Sequence, residues 1–472
     1  MPSKSSFADV SLDVNPGTHR SAEIADPERP FRILLLGDFS GRGSKASGPS
    51  RRWKALPVDR DNFDEVLARM GARLPKLSLS FRELDDFHPD RIYQTSELFR
   101  VQRDQGKTGT PRTASARRAP QTDPPPRADV RSLAGGSLLD SILDATETGP
   151  ARARARRDPL QDFVESVTAP HLAPAADPGL PQLQAQVDAE SGARMRAILH
   201  YSEFQALEAA WRVLFGLVRE IETDSMLKVY VLDVSKAELE ADLGADDLRE
   251  SHSWRIFVKD TVSTPGGEPW ALAAGNYAFA KTESDVQMLG RLAKIMRAAG
   301  APFLAEADPA SKQQTEGPAK QWEMLRQSAE ASWIGLAMPR LLLRAPYGKK
   351  SSPLESFDFE EMPGAPEHQH YLWGNPAFAC VQLLAQSFAE DGWSMRPGKH
   401  STIQGLPIHI YEEDGEPQAK PCAEVLLTER EIDWILEEGF MPLASVKGQD
   451  VVKLVRFQSI AKPLTPLSGQ WQ

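Results

Sequence analysis

The segment DQGKTGTPRTASARRAPQTDPPPRADVRSLAGG, residues 104–136, limits what this chain can fold into more than any other stretch. It holds five prolines and almost no large apolar side chains. Such a segment cannot bury enough surface to offset the entropy of ordering it, so it reads as a disordered linker between two folded parts. Its six basic and three acidic residues leave two roles open, a solvated linker or a weak anion-attracting tether. The 472 residues suffice for two or three domains that each bury a core.

Periodicity places the parts. Residues 1–30 are polar and proline-punctuated, an N-terminal arm. Residues 31–103 read as a small α/β unit. RILLLGDF is an apolar run of strand length, and Phe63, Val66, Leu67 and Met70 share one helix face behind a cap at Asp59 or Asp61. KLSLSFREL alternates Leu77, Leu79 and Phe81 and predicts a half-buried strand. Residues 137–191 open with an apolar helix, Ser137–Thr148, whose Leu138, Leu139, Ile142 and Leu143 form one stripe, followed by the biased run GPARARARRDP. That helix is either a docking peptide for a partner or a piece that folds back on the second domain.

The second domain, 192–472, opens on a strongly amphipathic helix carrying Phe204, Leu207, Trp211, Leu214, Leu217, Val218 and Ile221. Strands follow at MLKVYVLDVS, at EPWALAAGNYAFA after the Gly266-Gly267 turn, at APFLAEAD and at EASWIGLAMPRLLLRAPYG, with a helix ending at Gly300 between the second and third. Alternating strands and helices make the fold class α/β (α+β), mixed sheets flanked by helices in two parts. There is no internal repeat.

The chemistry is sparse. Two cysteines, Cys380 and Cys422, supply no disulfide framework, and no apolar run approaches a membrane span. The N-terminus has no apolar signal region, so a cytoplasmic protein without membrane insertion is expected. A net charge of -11 argues against general nucleic-acid binding. The strand-to-loop stretch FRILLLGDFSGRGSKASG resembles a phosphate cradle, yet counting from Gly37 the P-loop pattern requires glycine at Arg42 and lysine at Gly43. A G-x-G-x-x-A reading on Gly41, Gly43 and Ala46 leads into SGPSRRW and Pro49, not into a helix that would hold a pyrophosphate. His368, Gln369 and His370 have no cysteine or histidine pair at zinc spacing beside them, and read as surface residues of a polar loop. The acids of PLESFDFEEMPG, Glu355, Asp358, Glu360 and Glu361, read as a solvated face or an interface rim. No catalytic, cofactor or metal site is expected, and a binding or structural protein fits better than an enzyme.

The residues do carry a family resemblance. Asp38–Gly41, Asp59–Phe63 and Leu84–Pro89 resemble the small (TssB/VipA-like) subunit of the type VI secretion contractile sheath. The second part resembles the large (TssC/VipB-like) subunit through Ala197–Val218, Glu222–Leu239, Pro265–Ala280, Gly335–Glu361, Tyr371–Ala379 and Gly405–Tyr411. The resemblance implies a natural fusion of two subunits that otherwise form an intimate heterodimer, with the GDFSG loop a structural turn. Fusion raises the effective concentration of each part for the other to mM levels, and a coil of this length spans about 30 Å.

The same resemblance implies a sheath that acts as a spring around an inner tube of Hcp-like rings, joined to baseplate components. It also implies that Leu138, Leu139, Asp140, Ile142 and Leu143 form the helix recognised by a ClpV-type disassembly ATPase. Small subunits of the family continue past the Leu84–Pro89 segment with helices and a terminal strand, and large subunits continue beyond the segment that ends here at Gln472. Those terminal arms exchange strands between neighbours. Three readings therefore stay open: a fused sheath protomer, a non-propagating accessory that caps the sheath or links it to the baseplate, and an enzyme on an α/β scaffold.

Overall fold

The computed structural model describes residues 28–43, 53–109, 180–309, 316–413 and 415–471. Two compact units divide the chain, Met1–Arg100 together with Asp188–Gln472, and Val101–Val187. Every described strand belongs to the first.

Strand β1, Phe31–Gly37, has every side chain buried except the half-buried Arg32. A run apolar on both faces suits only the interior of a parallel sheet covered by helices on each side. β1 takes that place in a nine-stranded sheet. In chain order its other members are β2 (Leu56–Pro57), β5 (Leu227–Asp233), β6 (Leu272–Phe279), β7 (Phe303–Ala307), β8 (Ile334–Met338), β11 (Thr402–Ile403), β14 (Met441–Ser445) and β15 (Val452–Leu454). The spatial order is β11-β15-β14-β8-β7-β6-β1-β5-β2. β1 runs parallel to β5 from Phe31↔Leu227 to Gly37↔Asp233, and parallel to β6 from Ile33↔Leu272 to Leu36↔Gly275. Among the described residues six short strands lie outside this sheet, β3 (Arg73–Leu74) with β4 (Leu79–Ser80), β9 (Leu341–Leu342) with β10 (Trp373–Gly374), and β12 (His409–Glu413) with β13 (Glu416–Lys420).

Alternation along β1 feeds two cores. Ile33 and Leu35 join Phe63, Val66, Trp211, Leu214 and Phe378 on one face. Leu34 and Leu36 join Leu239, Phe257, Leu289 and Leu292 on the other. The first face is covered by helices α1 (Phe63–Met70), α5 (Ser202–Glu220) and α9 (Ala377–Asp391). The second is covered by α6 (Lys236–Leu243) and α7 (Glu283–Ala299). The remaining described helices of at least seven residues are α2 (Pro89–Thr95), α3 (Arg100–Gly109), α4 (Leu180–Leu199), α8 (Glu316–Arg326) and α10 (Glu429–Glu437).

Trp211 of α5 binds the parts of the first core. Its indole N–H donates to the Phe39 carbonyl at 2.8 Å, and its ring meets Phe39 and Phe63 edge-on at 5.3 and 5.6 Å. Phe204, two turns earlier, packs edge-on against Phe81 and Phe87.

Several local expectations need correction. The α1 face is buried as its spacing predicts, but the N-cap position is Asn62, whose side chain caps no helix amide and bonds back to Asp59. Asp59 acts one step earlier, its Oδ1 accepting the Asn62 N–H at 2.9 Å. KLSLSFREL is not one strand: a 3-10 turn, Pro75–Leu77, and Ser78 at φ 53° leave only Leu79–Ser80 extended. Pro75 starts that turn, and alternation over so short a run does not outweigh it. Helix α3 continues past Arg103 to Gly109, and α4 runs through Gly192.

Since β1 is held on both sides, the two parts should stay together without a covalent link. A protease site introduced at Pro120 and then cut should leave fragments that co-elute on native gel filtration and separate only in denaturant. Separate elution under native conditions would refute this packing.

Candidate functional site

The loop that leaves β1 is closed by the chain's own acids. Asp38 Oδ1 accepts the N–H groups of Gly41 and Arg42 at 3.0 Å each, and Oδ2 accepts that of Gly43 at 2.5 Å. Asp233, at the end of β5, accepts the N–H groups of Phe39 and Ser40 at 3.0 and 3.2 Å. All five consecutive amides from Phe39 to Gly43 are thereby committed to internal carboxylates. Such a curl of amides is what holds a phosphate in nucleotide-binding loops, and here the anion is already supplied. Burial pushes the Asp38 carboxyl above its ordinary value, against the amides of Arg42 and Gly43, which pull it down. Arg42 bridges Asp233 at 2.5 Å and Glu238 at 2.9 Å, tying the loop to the start of α6. Gly41 has φ 74°, and a Cβ there would lie 2.7 Å from the Arg73 carbonyl, so the turn needs glycine.

A cleft of about 600 Å³ opens beside this loop, at the carboxyl ends of β1, β5 and β6. Asp38, Leu207, Lys236, Glu240, Tyr277 and Asp285 are among its walls. Lys236 pairs with Asp285 at 2.6 Å, Glu240 accepts from Ser284, and the Tyr277 hydroxyl donates to the Val234 carbonyl at 2.6 Å. These groups satisfy one another and do not converge on a reacting centre.

The second junction involves the string expected to be solvated. Glu355, Asp358 and Glu360 are exposed, as that reading requires. Phe357, Phe359 and Glu361 are buried, so burial alternates along the string and its last acid belongs to the interior. Asp90 of α2 accepts the N–H groups of Glu355 and Ser356 at 3.0 and 2.9 Å, and Tyr93 packs on Phe357 at 4.8 Å. The first hundred residues thus grip a loop that lies more than two hundred and fifty residues away.

Glu361 ends in a buried charge network. Arg344 Nη1 donates to it at 2.7 Å and Arg344 Nε to Glu208 at 2.9 Å, while Arg212 Nε donates to the same Glu208 oxygen at 2.6 Å. The Tyr347 amide donates to Glu361 at 2.8 Å, and His88 meets the Tyr347 ring edge-on at 5.0 Å. Burial raises the Glu361 carboxyl, yet Arg344 and the bonds it accepts hold it down at about 2. The same two carboxylates hold the Arg344 guanidinium firmly charged against its own burial. His200 lies 3.6 Å from Glu361 and stacks on His370 at 3.8 Å. Burial, with His200 beside it, pushes the His370 imidazole below its ordinary value. His368 pairs with Glu424 at 2.9 Å. The HQH histidines are thus engaged in packing, and among the described residues no three His, Cys, Asp or Glu side chains group as a metal would need.

Sequence reasoning missed Glu208, fully buried on the apolar face of α5, because a single acid there reads as helix surface. The F-D-F-E-E alternation was the available signal for Glu361. The proposed partner helix with Leu138, Leu139, Asp140, Ile142 and Leu143, and the basic linker beyond Gly109, lie outside the described residues.

Comparison with known proteins places this architecture. The family model VipB (EvpB/VC_A0108, tail sheath N-terminal domain) matches residues 182–461, more than half of the chain. The chain belongs to the VipB tail sheath family. A second family model, T6SS VipA (type VI secretion system, VipA, VC_A0107 or Hcp2), matches residues 10–101 of the same chain. The type VI secretion system sheath protein TssC1 of Pseudomonas aeruginosa is 35% identical over 302 residues, which cover 59% of this chain and 61% of TssC1. The chain therefore spans about three fifths of that relative's length. The contracted helical sheath of the anti-feeding prophage, seen by cryo-electron microscopy, aligns with a TM-score of 0.28 at 12% identity, over 52% of this chain and 50% of the sheath chain. Both junctions, at the β1 loop and at the Glu355–Glu361 segment, join the VipA-matching part to the VipB-matching part. Among the described residues no helix is long and apolar enough to cross a membrane.

The depressed Glu361 carboxyl sets a pH dependence. A folded value of about 2 against an ordinary 4.5 stabilises the fold above pH 4.5, and that contribution disappears as the pH falls through 2. It amounts to roughly 3 kcal/mol. Glu361→Gln keeps the shape but leaves Arg344 half-paired, at a cost of roughly 3–5 kcal/mol near neutrality. Urea midpoints of the wild type and the variant should therefore differ clearly at pH 7 and converge towards pH 2; a difference independent of pH would contradict the assignment.

Proposed function

We propose that this protein is a structural protomer of a type VI secretion contractile sheath, with the small- and large-subunit roles carried by one polypeptide. The observation that carries the reading is the seat of β1. A strand of the VipA-matching part lies between β5 and β6 of the VipB-matching part and pairs with both. A separately made small subunit could occupy that place only by forming the heterodimer during folding, and fusion makes the encounter intramolecular.

On this reading the protein works in the cytoplasm without catalysis, cofactor or nucleic acid. Work comes from two lattice packings of different free energy, an extended one that relaxes to a wider, shorter one. Its partners are copies of itself or other sheath subunits, an Hcp-like inner tube and baseplate components. Negative-stain microscopy of the purified chain, alone and mixed with separate sheath subunits from the same cell, tests this. Tubes formed by the chain alone are expected. Discrete particles that bind only at tube ends in the mixture would sink the protomer reading and leave an accessory that caps or links the sheath.

Leu138, Leu139, Asp140, Ile142 and Leu143 are, on the same reading, the contact for a ClpV-type ATPase. Leu139→Asp with Ile142→Asp should abolish capture of the chain by the isolated N-terminal domain of that ATPase while tube formation persists. Unchanged capture would remove this helix from the interaction.

A further inference from the structure

Strand β7 reads F-L-A-E-A, and all of its residues are buried between β6 and β8. The exception to its apolar composition is Glu306, which pairs with Ala278 on one side and Ala337 on the other. Alternation puts it on the same face as Leu304, towards the first core. A buried acid needs a cation or hydrogen-bond donors to offset its desolvation. Among the described residues nothing donates a hydrogen bond to the Glu306 carboxylate, and the one cation within 4 Å is Arg340, at 3.9 Å.

Arg340 is committed elsewhere. Its Nε and Nη2 donate to the two oxygens of Glu424 at 2.9 and 2.5 Å, a two-pronged fork. Glu424 is itself buried and lies 2.9 Å from His368 Nε2. Asp308 faces Glu306 from just beyond β7, and Lys420 faces Glu424 from the end of β13. Two buried carboxylates thus share one guanidinium, and only one of them holds it. Burial, with Glu424 and Asp308 beside it, pushes the Glu306 carboxyl up to about 7 against the pull of Arg340.

The competition matters because Arg340 fastens a segment to the framework. Its carbonyl accepts the Glu424 N–H at 2.9 Å, Leu341 bridges Ala423, and the Leu342 N–H donates to the Cys422 carbonyl at 2.8 Å. The fastened residues, 421–427, connect β13 to α10 and carry the half-exposed Val425 and Leu426.

We propose that Glu306 and Arg340 form a proton-operated latch on the segment 421–427. With Glu306 neutral, the Arg340 fork stays on Glu424 and the segment is held. With Glu306 ionised, the buried anion draws the guanidinium towards itself, Glu424 loses a prong, and the segment opens more often. A carboxyl held above its ordinary 4.5 favours the closed form at low pH, and that advantage is lost as the pH rises through 7. The latch does not depend on the sheath reading.

Hydrogen exchange of the full chain tests it, read at the Glu424 and Leu342 amides and corrected for the intrinsic pH dependence of exchange. Between pH 6 and pH 8 protection should fall about tenfold and then level off, the ratio that linkage gives for a carboxyl returning from about 7 to its ordinary value on opening. Glu306→Gln keeps the shape with no proton to lose, so its protection should stay level over that range and exceed that of the wild type at pH 8. Asp308→Asn removes a neighbouring acid and should make the fall level off at lower pH; it decides the matter alone if the glutamine variant melts early. The latch is overturned if wild-type protection stays constant, if Glu306→Gln keeps the fall, if Asp308→Asn leaves the levelling point unmoved, or if the amides of α9 lose protection by the same factor.

Discussion

The pairing of β1 with β5 on one side and β6 on the other is the constraint on which the rest of the structure depends. A strand in that position donates and accepts along both edges and buries side chains on both faces. Without it, the edges of β5 and β6 would face each other across a gap with their amides and carbonyls unpaired, and each such buried group costs about 1–3 kcal/mol. Both cores would lose their central row as well, since Ile33 and Leu35 serve one and Leu34 and Leu36 the other. Strand β1 therefore belongs to the sheet's interior, and the part that carries it is not a module resting on the sheet.

The same junction explains why a loop that looks ready for phosphate has no amide left to offer one. Strands β1 and β5 end side by side at Gly37↔Asp233, which brings the β5 acid under the β1 loop. Asp38 and Asp233 then neutralise the amides, and Arg42 balances the acids. The Arg344, Glu208 and Glu361 network applies the same principle at the second junction. Buried ion pairs add little net stability against apolar packing of the same volume, but removing one partner is expensive. A network drawn from α5, the loop after β9 and the alternating Phe357–Glu361 segment therefore admits one arrangement of those elements and penalises others.

Much of the framework was legible in the sequence, and particular residues show why. The buried face of α5, the strands β5 to β8 and the left-handed Gly300 that stops α7 are all set by local spacing or backbone chemistry. The failures are equally physical. Pro75 and the positive φ of Ser78 break an alternation too short to prevail. Glu361 reads as surface because an acid's default place is in water, and only a partner distant in sequence makes its burial tolerable. Glu208 is hidden from sequence reading for the same reason.

By itself, the sequence determined that two apolar-patterned parts flank a proline-rich stretch with almost no large apolar side chains, and that neither part carries a nucleotide motif, because composition and periodicity are properties of neighbouring residues. Family likeness was also legible there, in the order of its matching segments. Only the tertiary structure decided that the two parts share one sheet, that β1 sits third from its edge, and which acids are interior. Strand order, and the cost of burying a charge, depend on groups that come together from opposite ends of the chain.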